Sequence, residues 1–565
     1  MKILALHLIN HDANICYYDG EKATYLNLER TKGIKKYHYY KWDMAKLGED
    51  LAGLNIPAHL DAIILTCGEL VSAPEDELAM KWRFDEDNLC IEISEETFSV
   101  VHGNVPFTAD KYYRVEHHYG HYMGAQWLYN DTPGGVIIDG CGDYMVHTSV
   151  FKGVERVKQY KQNEMVSIGD LYFDTAADLL GRGKKEDWVN SFTDRSGNIM
   201  GLMSFGNFNE TYAKFLRQQS FEDFPGEAIN RWRYVSKANL GESVLYGYGY
   251  DAKGDGRTKS AVGKKYPMAL VHAHPDGYPY VSQWHLDWMY TWQTVLGEKL
   301  VEFFSQYFDK DDEFVYSGGV AHNVVLNEVL NKAFPNMKIP PSIGDEGQSL
   351  GAMYAYMYHN NIKAPVCPIT NWQSEEIPLM NAEAISIMAD YLLADKIIAV
   401  CQGESHIGPR ALGNRSLIYL PDRKYAAHYF NERKLKKREW WRPYGIIILE
   451  EELENYLQTS TKSPYMLHVA TPTEEGMKKL SGVVHVDGTV RYQTVNSGPY
   501  AELLKRLRYM GAPAAVVNTS LNAPGKPMCH TTGDARAFAE EFGPDILVVG
   551  EDVYTTGHRG VEWNR

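Results

Sequence analysis

The sequence predicts an α/β protein, with a duplicated N-terminal domain followed by a smaller α/β domain, and three observations carry that prediction. First, KILALHLI, ANICYYDG and ATYLNLER read as three successive strands, with Gly20 turning the chain between the last two. Second, a similar strand, glycine turn and strand returns about 130 residues later at GVIIDGCGDYMVHTSVFKG, which points to an internal duplication. Third, IKAPVCPITNWQSEEIPLM gathers Pro365, Pro368 and Pro378, which neither a continuous helix nor a central strand tolerates. The expected division is therefore 1–363, a linker 364–380, and 381–565.

Taken in order, the first two strands are joined by INHD, a tight polar tip that carries His11 and Asp12. FVYSGGVAHNVVLNEVL predicts a strand ending in Gly318 and Gly319, then a helix with Asn323 in its first turn. Adjacent glycines admit close backbone approach, and a helix N-terminus favours an anion. Across 284–304, Met289, Trp292, Leu296, Leu300 and Phe303 recur at helical spacing and predict a core-facing helix. The stretch 207–280 is rich in Tyr, Gly and charge without a steady period, and is read as an insertion lining an acceptor pocket. Beyond the prolines, AEAISIMADYLLADK predicts a helix and IIAVCQG a buried strand.

A chain of 565 residues suggests about three or four structural units. Its 44% apolar and 12% aromatic content indicates packed cores. No apolar run approaches the ~20 residues of a membrane helix, and MKILALHLINHDA is broken at His7, His11 and Asp12, too early for a secretory signal. A cytoplasmic protein with no membrane partner is expected. Seven scattered cysteines fit reduced thiols rather than a disulfide framework. The net charge of −16 argues against a nucleic-acid partner.

The densest chemistry lies in EHHYGHYMG. His117 and His121 are four apart, so on a helix both imidazoles project from one face within reach of a single cation, while His118 points elsewhere. An isolated pair of this kind is more often a hydrogen-bonded core feature, and two nitrogens hold a metal weakly. Two carboxylates stand in suggestive places: Asp139 at the tip of the GVIID strand, and Asp345 in the loop GDEGQS leading into a small-residue helix. Two His and two Asp suit Fe(II), Mn(II) or Zn(II) by ligand type. In the C-terminal part, Arg410, Arg415, Lys436, Arg438, Arg442 and Arg491 recur beside glycines and turns against the overall negative charge. Such a mixed cluster suits a small phosphorylated ligand, although KLKKRE alone reads equally well as a solvated helix face.

The duplicated N-terminal part resembles the superfold shared by sugar kinases, actin and heat-shock chaperone ATPases. GPRALGNRS, the Lys-x-Arg-Glu run leading to Arg442-Pro443, and NTSLN with Gly525 resemble the nodulation and cephem O-carbamoyltransferase family, which includes the tobramycin carbamoyltransferase. NHDAN, Glu29-Arg30, HHYGH, IIDGCGD, SIGDLY, IMGLMSFG, SGGVAHNVVLN and GDEGQSLGA extend the resemblance over essentially the whole chain. It implies a C-terminal domain like threonylcarbamoyl-adenylate synthase, which converts carbamoyl phosphate and ATP, taken as Mg-ATP, to carbamoyl-adenylate. It also implies that the N-terminal domain transfers the carbamoyl group to a hydroxyl of a small natural-product acceptor, as in antibiotic biosynthesis. Carried over, His117, His121, Asp139 and Asp345 are the metal ligands. Gly318, Gly319 and Asn323 line the adenylate, and Arg410, Lys436, Arg442, Arg491 and Ser520 grip carbamoyl phosphate and ATP. His11 is the expected base for the acceptor hydroxyl. The resemblance is compatible with a homodimer. Glu404, His406 and Asn198 depart from the family pattern. A small-molecule kinase, releasing ADP, or a nucleotide-gated binding protein are the alternatives; a zincin is set aside because His118, Tyr119 and Gly120 fill the place of its glutamate.

Overall fold

All five residues of the first strand, β1 (Ile3–His7), are buried, as expected for a strand covered on both faces. It is central to a six-stranded sheet with β2 (Asn14–Tyr18), β3 (Ala23–Asn27), β4 (His59–Thr66), β5 (Cys90–Ile93) and β6 (Thr108–Val115), in the order β3-β2-β1-β4-β6-β5. The pairs β1-β2 and β2-β3 are antiparallel, whereas β1-β4 and β4-β6 are parallel. His7 faces Asn14 in register, so the loop between them is the predicted polar tip. This computed structural model describes residues 1–9, 11–66, 88–130, 132–180, 188–224, 283–436, 439, 441–557 and 560–562. The chain divides into two compact units, Met1–Pro133 with Lys338–Arg565, and Gly134–Met337.

Gly134–Met337 holds a five-stranded sheet of β7 (Gly134–Ile138), β8 (Val146–Lys152), β9 (Glu155–Lys161), β10 (Phe314–Ser317) and β11 (Met337–Lys338). Its order, β11-β10-β7-β8-β9, repeats that of the first sheet: an antiparallel meander with a parallel strand added beside its first member. The duplication inferred from the sequence is thus present in the strand order. The apolar stripe of helix Gln283–Phe304 is buried at Met289, Trp292, Leu296, Leu300 and Phe303, as its spacing predicts. Most of the predicted 207–280 insertion lies outside the described residues.

The other unit also carries a nine-stranded mixed sheet. Its strands are β12 (Ile398–Cys401), β13 (Arg415–Tyr419), β14 (Gly445–Leu449), β15 (His468–Ala470), β16 (Val490–Val495), β17 (Ala515–Ser520), β18 (Ile546–Val549), β19 (Asp552–Gly557) and β20 (Gly560–Glu562). The order is β15-β16-β14-β17-β13-β12-β18-β19-β20. The predicted helix and strand after the prolines are Ala382–Leu393 and β12. The stretch expected to be a linker is bonded on both sides: Trp372 N–H donates to Tyr25 O in β3, and Asn371 N–H to Ser405 O. Among the described residues no helix is long and apolar enough to cross a membrane.

Candidate functional site

Helix α1 (His117–Tyr129) begins at Glu116, whose carboxylate accepts the Tyr119 N–H at 2.8 Å. One turn apart and both buried, His117 and His121 bring their Nε2 atoms to 3.2 Å of each other. Asp345 Oδ1 lies 3.4 Å from each. A point equidistant from these three atoms in their plane is about 1.9 Å from each, a gap that would suit the roughly 2.0–2.2 Å bonds of a divalent transition metal to nitrogen and oxygen. The donor set, two imidazole nitrogens and a carboxylate oxygen, therefore fits one divalent transition-metal ion.

Small residues make this approach possible. Helix α2 (Gln348–His359) follows the Asp345 turn and packs on α1 and on β1, β2 and β4. A Cβ at Gly120 would collide with Gln348 Oε1, and one at Gly351 with the Gly120 carbonyl. Gln348 donates to His117 O at 3.0 Å, locking the first turn of α1 against α2.

The first hairpin tip closes over the same place. Asn14, fully buried, donates to Asp345 O at 2.9 Å and accepts the Ser349 N–H at 3.0 Å, which fixes the Asp345 turn to β2. His7 bonds to Thr66 Oγ1 and to His11 O, and burial pushes its pKa down to about 4, so it is a neutral structural histidine, as its place in the strand suggests. His11 keeps a third of its side-chain exposure and donates to Asp12 at 2.9 Å, with Asp345 at 3.6 Å. Burial pulls its pKa down, but Asp345 and the bonded Asp12 outweigh that and raise it to about 9. Asp12, at φ 58°, also accepts from Lys36 at 2.5 Å. Burial raises the Asp12 carboxyl, yet Lys36 and His11 hold it well below the usual range. Beside this network Glu346 is lifted to about 7 by burial and then by Asp12.

Asp139 belongs to the other unit, directly after β7, and its Oδ1 accepts the Gly319 N–H at 2.9 Å. Gly318, at φ 93°, follows β10, and a Cβ there would strike the Ile138 carbonyl; the paired glycines thus let two strand ends touch. Asn323 is the cap of helix Val324–Ala333, not a residue of its first turn. Its Oδ1 accepts from Val325 and Leu326, and its Nδ2 donates to Tyr172 and Gln293.

In the C-terminal sheet, strand register collects the remaining residues on one rim. Ser520 ends β17 opposite Ser416, Gly445 opens β14 opposite Arg491 of β16, and Arg442 stands three residues ahead of Gly445. Lys436, only 4% exposed, donates to Ser520 O at 2.5 Å and to Asn522 Oδ1 at 2.7 Å, with Ser520 Oγ at 3.4 Å. Arg442 reaches Glu439 at 3.3 Å. Arg410 lies in the loop between β12 and β13. Arg415, read from the sequence among the anion-facing cations, is instead buried and donates to Gln402 O, Gly403 O, Asn414 O, Gln373 Oε1 and His530 O. Five acceptors leave it a structural role. Lys437 and Arg438 lie outside the described residues.

The structure therefore brings together His11, His117, His121 and Asp345 in one place, and Lys436 with Ser520 in another. Sequence reasoning missed Asn14, Lys36, Glu346 and Asn522. All four sit inside motifs already noted or close behind them, but only long-range contacts reveal their work.

Residues 389–556 match the family model described as the carbamoyltransferase C-terminus. An uncharacterised protein of Methanocaldococcus jannaschii, MJ1051, is 26% identical over 74% of this chain and 77% of its own length. Nodulation protein NolO of Bradyrhizobium diazoefficiens is 30% identical over 41% of this chain and 47% of its own, so the chain spans about half the length of that relative. Full-length HypF, solved in a phosphate- and nucleotide-bound form, aligns at 17% identity and a TM-score of 0.22 over 32% of this chain and 23% of its own, a likeness too slight to bear on the fold. In residues 389–556 and over the stretches it shares with nodulation proteins, the chain is similar to the carbamoyltransferase family.

Proposed function

We propose that the protein is an ATP-dependent O-carbamoyltransferase with two separate sites, one at the rim of the nine-stranded sheet and one at the His117, His121 and Asp345 cluster. The observation that carries this reading is the buried Lys436 node on a rim that also holds Arg442 and Arg491, inside the part that matches the carbamoyltransferase C-terminus. Lysine supplies a point charge and arginine a planar fork, which together suit phosphate oxygens.

A carbamoyl carbonyl is a poor electrophile because its nitrogen donates into it, so a good leaving group must be installed first. Water releases the phosphate of carbamoyl phosphate, the resulting carbamate oxygen attacks the α-phosphorus of ATP, and pyrophosphate leaves. The acceptor hydroxyl then attacks the carbonyl of the adenylate and AMP departs. Arg410, Lys436, Arg442, Arg491 and Ser520 bind and orient the phosphates in the first stage. In the second, Gly318, Gly319 and Asn323 line the adenylate, while His117, His121 and Asp345 hold a divalent cation. That cation, Fe(II), Mn(II) or Zn(II) by donor type, supplies positive charge to stabilise developing negative charge on oxygen. His11 holds its proton at neutral pH while Asp345 is unengaged, and takes up the hydroxyl proton only when that carboxylate's charge is committed elsewhere. The acceptor is a hydroxylated small molecule. Purified protein given ATP and carbamoyl phosphate should release pyrophosphate and AMP; ADP instead, regardless of carbamoyl phosphate, would leave the kinase reading in place.

A further inference from the structure

Loop 402–414, which carries Arg410, is held from two directions. Its second half belongs to the C-terminal sheet: Asn518 donates to Ala411 O at 2.7 Å, Gln493 to Leu412 O at 3.2 Å, and Tyr500 to Gly413 O at 3.0 Å. Beyond Gln402 and Gly403, which Arg415 holds, the stretch 405–408 is tied to the N-terminal sheet. Asn371, fully buried, accepts the Asn27 N–H at 2.9 Å and donates from Nδ2 to His406 O at 3.1 Å and Ser405 O at 3.3 Å. Its own N–H adds a bond to Ser405 O at 2.8 Å. Arg30, 4% exposed, crosses from the short helix after β3 and donates to Gly408 O at 2.8 Å. Gly408 itself, at φ 80°, lies so close to the Pro341 carbonyl that a Cβ would collide with it. Pro341 stands four residues ahead of Asp345.

Arg410 thus sits where the two sets of supports meet, one from each sheet. A buried arginine and a buried asparagine are costly to desolvate, and here Asn371 gives its backbone N–H and its Nδ2, and Arg30 its Nη2, to carbonyls of one loop. We propose that Asn371 and Arg30 are positioning residues for Arg410, so that the anion grip of the C-terminal sheet is set in part by the N-terminal sheet. The inference rests on the reading of Arg410 as a phosphate contact.

The test is a double-mutant cycle in the full-length protein with Asn371→Asp, which keeps the shape but removes both Nδ2 donations, and Arg410→Ala. The readout is the KM for carbamoyl phosphate in acceptor-free pyrophosphate release. Asn371→Asp should raise that KM roughly tenfold, because small misplacements of a binding group carry penalties of this order. The KM for ATP should move less, and the melting temperature should stay above the assay temperature. In the Arg410→Ala background the same change should have no further effect, since it acts through Arg410. Arg30→Met should behave like Asn371→Asp. An unchanged KM in Asn371→Asp, or an equal rise with and without Arg410, would overturn the proposal. If the wild type releases no pyrophosphate, the carbamoyl reading fails separately, and the cycle is run on pyrophosphate binding by calorimetry. Non-additive loss then supports the positioning role, while additive loss, no loss or no binding by the wild type overturns it.

Discussion

Alanine at Gly120 should destabilise the protein even though alanine is the better helix former. In an open helix interior the exchange gains about 0.5–1 kcal/mol. Here the new methyl group collides with Gln348 Oε1, and Thr66 Cγ2 lies at 3.5 Å on its other side. Relief by swinging Gln348 away gives up its bond to His117 O, about 0.5–1.5 kcal/mol. Relief by parting the helices opens the Gly120 and Gly351 contact, and overpacking of this kind costs about 1–3 kcal/mol. Set against the helix-propensity gain, the net loss reaches at most about 2.5 kcal/mol, and the His117 and His121 nitrogens move relative to Asp345. Gly197 provides the control, being within helix Trp188–Met203 with open space where its Cβ would go. Chemical denaturation and cation titration of both variants decide the matter. The reasoning predicts Gly120→Ala to be less stable with weaker cation binding, and Gly197→Ala to be neutral or more stable. Equal stabilisation by both substitutions would refute it.

Three further outcomes follow from the same geometry. Wild-type protein should bind one divalent ion, and His117→Ala or Asp345→Asn should weaken that binding at least about tenfold, as read by calorimetry or by metal content after dialysis. Lys436→Arg should not restore the pyrophosphate release lost in Lys436→Ala, because a guanidinium does not fit the pocket that Ser520 and Asn522 form around one ammonium. In chelator, the raised His11 pKa contributes stability that is fully present below the unfolded value of 6.5 and is lost as pH rises through about 9. Melting temperatures of wild type and His11→Gln should accordingly converge across that window, and parallel curves would contradict the assignment.

Much of this arrangement was legible from local pattern. The His pair is visible because its spacing of four equals one helical turn, and the duplicated strands because their apolar runs and glycine turns are short-range features. Register in the nine-stranded sheet could not be read, yet it places Lys436 beside Ser520, which are 84 positions apart. Asn14 shows the limit more sharply: it looks like one polar residue opening a strand, and its bond to Asp345 spans 331 positions. Arg415 misled for the opposite reason, since a cation beside glycines reads the same whether it faces a ligand or, as here, backbone carbonyls. The connector behaves likewise. Its prolines forbid helix, but they do not reveal that Asn371 and Trp372 are bonded to β3 on one side and to the loop after β12 on the other.

The central claim is that two chemical stages occupy two sites. Acceptor-free pyrophosphate release, measured with ATP and carbamoyl phosphate in the wild type, Lys436→Ala and His117→Ala, tests it most directly. The account predicts release by the wild type, loss in Lys436→Ala, and release retained in His117→Ala. Equal loss in both variants, or release that does not depend on carbamoyl phosphate, would contradict it.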